Sequence, residues 1–275
     1  MGVVRLPPEV ADVTARFLEL TDASAPGLVN GLYLRGSLGF GEYFEGQSDV
    51  DFTAVLSARP DADQLAALAA AHEAVFAAHP KPHFDGFHVV REDLASAPDQ
   101  CQDVPVMFEG VFTPSTRDYD MNLASWHELA RHGVTVRGPA LSEHDVWTDD
   151  EALRAFSHGN LGSYWAGAAD SLVKQPAQAG EPWLVAWSVL GVSRLHHLLA
   201  TGTLTSKSGA GRYALTAFGP QWHRIVSEAL RARERPGDLS SYDGEPAARG
   251  RDNAAFTVMA VESGLALGPV AAAGP

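Results

Sequence analysis

The sequence predicts an α/β domain with a central sheet followed by an all-helical domain, and three observations carry that expectation. Short apolar runs at 31–34 and 50–56, the second rich in β-branched and aromatic side chains, are bounded by Gly, Ser and Pro as strands are. Beyond about residue 146 the strand signals stop, and segments with helical spacing follow one another. The 275 residues are 45% hydrophobic and 20% charged, the balance of a globular chain able to bury a core, and long enough for two domains, placed at 1–147 and 148–275.

Taken in order, residues 8–20 carry apolar side chains at 10, 13, 17 and 20 behind Pro8, which suits a first helical turn. A strand at 31–34 runs into Arg35-Gly36-Ser37. A long glycine-containing loop (38–48, with Gly39, Gly41 and Gly46) leads to the strand at 50–56. An Ala-rich helix is expected at 61–78 and a third strand at 85–90. In the second half, Asp149-Asp150-Glu151 is a helix-start cluster, and helices are expected at 151–173, 183–200, 211–217 and 220–233. Residues 235–251 read as a loop, 252–264 as a last helix, and the tail from Gly268 as disordered.

Composition excludes several classes. One cysteine, Cys101, rules out an internal disulfide framework and a thiolate cage, and fits a reducing cytoplasm. Prolines 7 and 8 and acids 9 and 12 interrupt the apolar run that a signal peptide needs, and no stretch approaches a membrane span. A formal net charge of −14 with no basic run disfavours nucleic acid and favours a cationic small molecule; that charge is expected to make the second domain acidic. The chain is expected to be a monomer.

Asp-x-Asp occurs at 49/51, 61/63 and 118/120, so the pattern alone decides nothing. The first pair stands at the head of a strand, where residues two apart project from one face and can aim both carboxylates at one Mg²⁺. The other two pairs lie in loop or helix-start sequence, where caps and turns account for them. Upstream, Gly36-Ser37 follows a strand directly, so that backbone can approach a ligand and Ser37 can donate to a phosphate oxygen.

Arg35-Gly36-Ser37, Gly39, Gly41 and Ser48-Asp49-Val50-Asp51-Phe52 together resemble the signature of the nucleotidyltransferase superfamily with its polymerase-β-like core, which implies a mixed sheet, ATP as co-substrate and two Mg²⁺ ions. Metal-assisted nucleotidyl transfer needs a further acid to complete the site or take the hydroxyl proton. Asp85 is the candidate, matching the family's acid one strand further on, with Glu92 and Asp93 as alternatives. Further along, Leu190-Gly191-Val192-Ser193-Arg194, Thr201-Gly202, Ser206-Lys207 and Arg212-Tyr213-Ala214-Leu215 look like the helical C-terminal domain of the aminoglycoside adenylyltransferases that modify streptomycin and spectinomycin.

The resemblance implies antibiotic modification by AMP transfer. It places catalysis and metal binding on Asp49, Asp51 and Asp85, and nucleotide contacts on Gly36, Ser37, Ser48 and Lys207. It does not extend to the acceptor: where the streptomycin-modifying members carry an acid, this chain reads Trp183-Leu184-Val185-Ala186-Trp187, with Glu181 the nearest acid. Adenylylation of another metabolite, and a nucleotide-binding module without turnover, remain alternatives. No Walker loop, dinucleotide fingerprint or nucleophile elbow is present. Pro80 and Pro82 break the helix that would align His79 with His83, and these two and His88 are not assigned to zinc, while Tyr164, Trp165, Trp183 and Trp187 sit at helical spacing and are expected mainly in the core, the alternative being that some line an acceptor pocket.

Overall fold

The computed structural model describes residues 5–117 and 121–268, so the third Asp-x-Asp pair, Asp118/Asp120, and the residues after Gly268 lie outside the described part. The chain divides into two compact units, Met1–Thr148 and Asp149–Pro275.

In the first unit, helix α1 (Pro8–Ser24) leads to strand β1 (Val29–Leu34) and a single helical turn, α2 (Gly36–Gly39). Strand β2 (Val50–Leu56) is followed by α3 (Ala62–Ala78), capped by Asp61, which accepts from Gln64 N–H in a capping box. Strand β3 (Phe84–Val90) and the turn α4 (Arg91–Leu94) precede a hairpin of β4 (Val104–Phe108) and β5 (Val111–Thr116). Helix α5 (Leu123–His132) and edge strand β6 (Val134–Arg137) complete the unit.

The six-stranded sheet has the order β5-β4-β3-β2-β1-β6. Strands β2 and β3, joined across α3, run parallel, and the other neighbouring pairs are antiparallel. The sheet is therefore mixed, as the family resemblance implied. Alternation along the strands sorts the two faces. Leu32, Leu34, Val50, Phe52, Ala54, Leu56 and Phe84 meet Val10, Val13 and Phe17 of α1 and Leu68, Ala71 and Val75 of α3. Tyr33, Val55, Phe87 and Val89 meet Trp126 and Leu129 of α5.

Among its described residues the second unit consists of helices joined by turns and loops, with no strand. Helix α6 (Asp150–Asn160), capped by Asp149, passes through a π-helical turn at Leu161–Trp165 into α7 (Ala166–Lys174) and the short α8 (Pro176–Ala179). Helix α9 (Pro182–Thr201) is the axis, with Val185, Val189, Leu190 and Val192 buried among side chains of α10 (Lys207–Ala217), α11 (His223–Glu234) and α12 (Pro246–Ala266). At Gly191 a Cβ would stand 2.3 Å from Trp165, so the indole packs where only hydrogen fits.

Two helix limits differ from expectation. Helix α12 begins at Pro246, inside the segment read as loop, because Pro at a first turn initiates a helix that the surrounding Gly and charge obscured. Helix α10 begins at Lys207, because the Ser206 hydroxyl accepts from Gly209 N–H and caps it.

The charge is also not where expected. The first unit carries 22 Asp and Glu against nine Lys and Arg, the second 12 against 11. The acids of the helical unit are met by arginines, as in Arg224–Glu245 and Arg212–Glu234, so the −14 belongs almost wholly to the unit with the sheet.

Candidate active site

The acids gather because β2 and β3 are parallel and in register: Asp51 pairs with Asp85, and both side chains leave the sheet on the face that carries Phe87. Asp49, two residues before Asp51, precedes the strand. Its Oδ1 accepts from the His83 N–H at 3.2 Å and lies 3.7 Å from Lys81 Nζ. Asp85 is buried at 8% exposure. Its Oδ1 accepts from the Glu109 N–H at 2.9 Å, and its Oδ2 lies 3.8 Å from His83 Nδ1. Burial pushes the Asp85 carboxyl up to about 7; the Glu109 hydrogen bond opposes this, and the charges of Asp49, Asp51 and Glu109 add to it.

The Gly36-Ser37 turn is joined to the same acids. The Arg35 N–H donates to the Asp51 carbonyl at 3.0 Å, while the buried Arg35 guanidinium sits over the Phe87 ring at 5.1 Å. Gly36 has φ +58°, and a Cβ there would fall 2.1 Å from Asp51 Oδ2. Glycine is required twice over, for the left-handed backbone and for the carboxylate that occupies the side-chain position. Ser37, half-buried, opens the turn beside it. Ser48 is buried, and its hydroxyl oxygen accepts from Phe44 N–H at 3.1 Å, closing the loop that delivers Asp49.

Lys207 is in the helical unit, half-buried at the first residue of α10, and is described there by itself. Of the alternatives to Asp85, Asp93 is buried against Arg59 and caps the turn after β3 through the Val90 N–H, while Glu92 lines a cavity of about 450 Å³ by Val55, Leu56 and Ser57, at the opposite end of β2 from the acids. His88 is not near the acids' side chains; it lies on the other face of β3, its Nε2 3.0 Å from Nε2 of the buried His72.

Sequence reasoning missed Glu109, whose φ is +46° in the hairpin between β4 and β5. The dipeptide Glu109-Gly110 between two apolar runs was the available signal, since a tight hairpin places two successive residues at positive φ. The contacts of the His83 N–H and Lys81 with Asp49 gave no signal, because they exist only once β2 and β3 pair; His83 stands two residues before Asp85, and that spacing was the signal for their contact.

Among the described residues no three His, Cys, Asp or Glu side chains close around a metal ion unaided. Mg²⁺ does not require such a cage: it is held by one or two carboxylates together with water and substrate phosphates. Two carboxylates two residues apart, and a third in register whose ionisation is opposed by burial and then by the charges of its neighbours, make a donor set that fits a hard divalent cation.

No protein-family model matches this chain, and no curated protein matches its sequence. Among solved structures, the chain is similar in fold to spectinomycin adenyltransferase AAD(9) from Enterococcus faecialis, determined with ATP and spectinomycin, with a TM-score of 0.62, 12% identity, and coverage of 90% of this chain and 98% of that one. The chain thus shares its fold, a mixed-sheet unit followed by a helical one, with that protein.

Proposed function

We propose that the protein transfers AMP from Mg²⁺-ATP to a hydroxyl of a small molecule, an aminoglycoside or aminocyclitol being the first acceptor class to test. The observation that carries the reading is the register of Asp51 with Asp85 across two parallel strands, with the Gly36-Ser37 turn packed on Asp51. The fold shared with a protein solved with ATP and spectinomycin supports it.

In this reading the Ser37 hydroxyl and the N–H groups of its turn hold phosphate oxygens, and Lys207 contributes a further cationic contact, assigned by family resemblance alone. Asp49 and Asp51 would hold Mg²⁺, two ions if Asp85 joins them, which supplies charge neutralisation at the α-phosphate and the departing pyrophosphate. The acceptor oxygen bonds to the α-phosphorus, the α–β bridging P–O bond breaks with its electron pair leaving on pyrophosphate, and the hydroxyl proton passes to a carboxylate oxygen of Asp85. A base held near neutrality by burial suits that proton transfer. The Glu109 N–H fixes which Asp85 oxygen is engaged and leaves Oδ2 for the proton.

The test is pyrophosphate release from Mg²⁺-ATP over a panel of streptomycin, spectinomycin and other hydroxylated metabolites, with Asp49→Asn as control. Acceptor-dependent release that disappears in Asp49→Asn supports the reading and names the acceptor. ATP binding without release over the panel points to a nucleotide-binding module, and release with a metabolite but no aminocyclitol assigns another adenylylation.

A further inference from the structure

The cavity of about 450 Å³ in the sheet unit has no part in nucleotidyl transfer, because it lies at the far end of β2 from the acids. Leu56 in its wall stands five residues along the strand from Asp51, roughly 17 Å at the rise of an extended chain. The volume is that of a small-molecule site. Tyr33, fully buried, is part of the wall; its hydroxyl donates to the Pro139 carbonyl at 3.0 Å and lies 2.7 Å from His144 Nε2. Two glycines make room for this phenol: a Cβ at Gly31 would fall 2.7 Å from the ring, and one at Gly138, where φ is +96°, 3.0 Å from the hydroxyl. The register of β1 against β2 slips between Val29 and Gly31, a bulge of the kind that occurs beside functional sites. Two lining side chains are charged and exposed, Arg91 and Glu92, adjacent in sequence after β3. Among the described residues neither forms an ion pair, and Arg91 Nη2 donates to the Glu143 carbonyl at 3.3 Å. His144 is held below its ordinary value by burial and then by Arg91, so it adds no charge at neutral pH.

We propose that this cavity binds a free α-amino acid with an apolar side chain, its carboxylate on Arg91, its ammonium on Glu92 and its side chain against Val55, Leu56 and Tyr33. A ligand with one charge would match one of the two groups and meet the other with like sign, whereas a zwitterion matches both. The two groups come from adjacent residues, with Cα atoms about 3.8 Å apart, which suits opposite charges borne on one carbon. A guanidinium is also the side chain best shaped to take a carboxylate. The sheet unit's 22 acids against nine basic residues repel a lone anion, and a zwitterion, neutral as a whole, escapes that repulsion. Val55 and Leu56 are buried and supply the apolar surface that a hydrocarbon side chain needs. The inference stands on the sheet unit alone, whatever reaction the acids at its other end catalyse.

The experiment is calorimetric titration of the full chain, without nucleotide, with L-leucine and L-phenylalanine. Each is run beside its counterparts lacking the ammonium (isocaproate, hydrocinnamate) or the carboxylate (isoamylamine, phenethylamine). The parent is compared with Arg91→Gln and Glu92→Gln, and with Asp49→Asn as a control at the catalytic acids. At least one of the two amino acids is expected to bind saturably and at least about fivefold more tightly than either of its counterparts. Glu92→Gln should remove the advantage over the acid and Arg91→Gln the advantage over the amine, while Asp49→Asn binds as the parent does. Both substituted side chains are exposed, so the far-UV circular dichroism spectrum should not change. Absence of saturable binding of both amino acids, a counterpart that binds as tightly as the zwitterion, or binding indifferent to both substitutions would overturn the proposal. Loss of binding in Asp49→Asn would overturn it too, by placing the ligand at the catalytic acids.

Discussion

Replacing Asp85 by Asn keeps an oxygen for the Glu109 N–H bond while removing a charge that the fold disfavours. The carboxyl moves from its ordinary 3.8 to about 7 on folding, so ionising it in the folded state costs about 4 kcal/mol more than in the unfolded chain. Because the folded form binds its proton more tightly, the benefit is complete below the unfolded value and is lost as pH rises through 7. Integrating between the two values, about 1.5 kcal/mol is lost by pH 5 and about 2.5 kcal/mol more between pH 5 and 8. Urea unfolding in chelator should therefore show the Asp85→Asn variant gaining on the parent by about 2.5 kcal/mol over that interval, while pyrophosphate release is abolished. Only the difference is diagnostic, since His88, held down to about 4 by burial, moves the parent's own stability the opposite way from 6.5 to 4. A stability difference independent of pH, or a parent that outlasts the variant at pH 8, would refute the account of Asp85 as a buried acid raised by its surroundings.

Other substitutions test other parts. Gly36→Ala puts a methyl group on the Asp51 carboxylate and a side chain at φ +58°, so it should lose about 1–2 kcal/mol of stability in urea and most of its turnover. Glu228→Ala removes the carboxylate that accepts from Arg231, Arg249 and Ser240 in the helical unit, leaving two largely buried guanidiniums unmatched, and should cost about 3–5 kcal/mol by denaturant titration. His72 and His88 face each other in the core and are both kept neutral by burial, so folded stability should fall as pH drops from 6.5 through 4. His88→Leu, though less stable at neutral pH, should show a shallower acid slope. Lys207→Ala should raise the KM for ATP with little change in the unfolding midpoint; a change in midpoint alone would make the lysine structural.

The core of the site was legible because its signals are local. Strand composition gave β2 at its observed limits, two aspartates two apart had to share a face, and Gly36-Ser37 sat at a strand end. Asp85 could be named as the third acid, but its depth of burial and its Glu109 hydrogen bond depend on how β3 pairs with β2 and β4, which no local pattern encodes. The strands at 104–108, 111–116 and 134–137 and helix α5 were not anticipated; of these, β5 and β6 are edge strands with weak alternation, β5 held by its hairpin with β4 and β6 by β1, which is distant in sequence. In the bundle, the aromatic series was expected mainly inside, and it divides: Trp165 is buried against Gly191, while the π turn and the N-terminal position of Trp183 on α9 leave Tyr164 and Trp183 outside. Helical spacing alone does not locate the solvent.

The central claim is that the α-phosphate, and not the γ-phosphate, passes to the acceptor. Incubating the protein and its acceptor with Mg²⁺ and ATP labelled at one phosphate or the other tests it directly. The account predicts that label from the α-position becomes covalently attached to the acceptor and that label from the γ-position leaves in pyrophosphate, with both outcomes lost in Asp49→Asn. Transfer of the γ-label would contradict it, and would make the site a phosphotransferase.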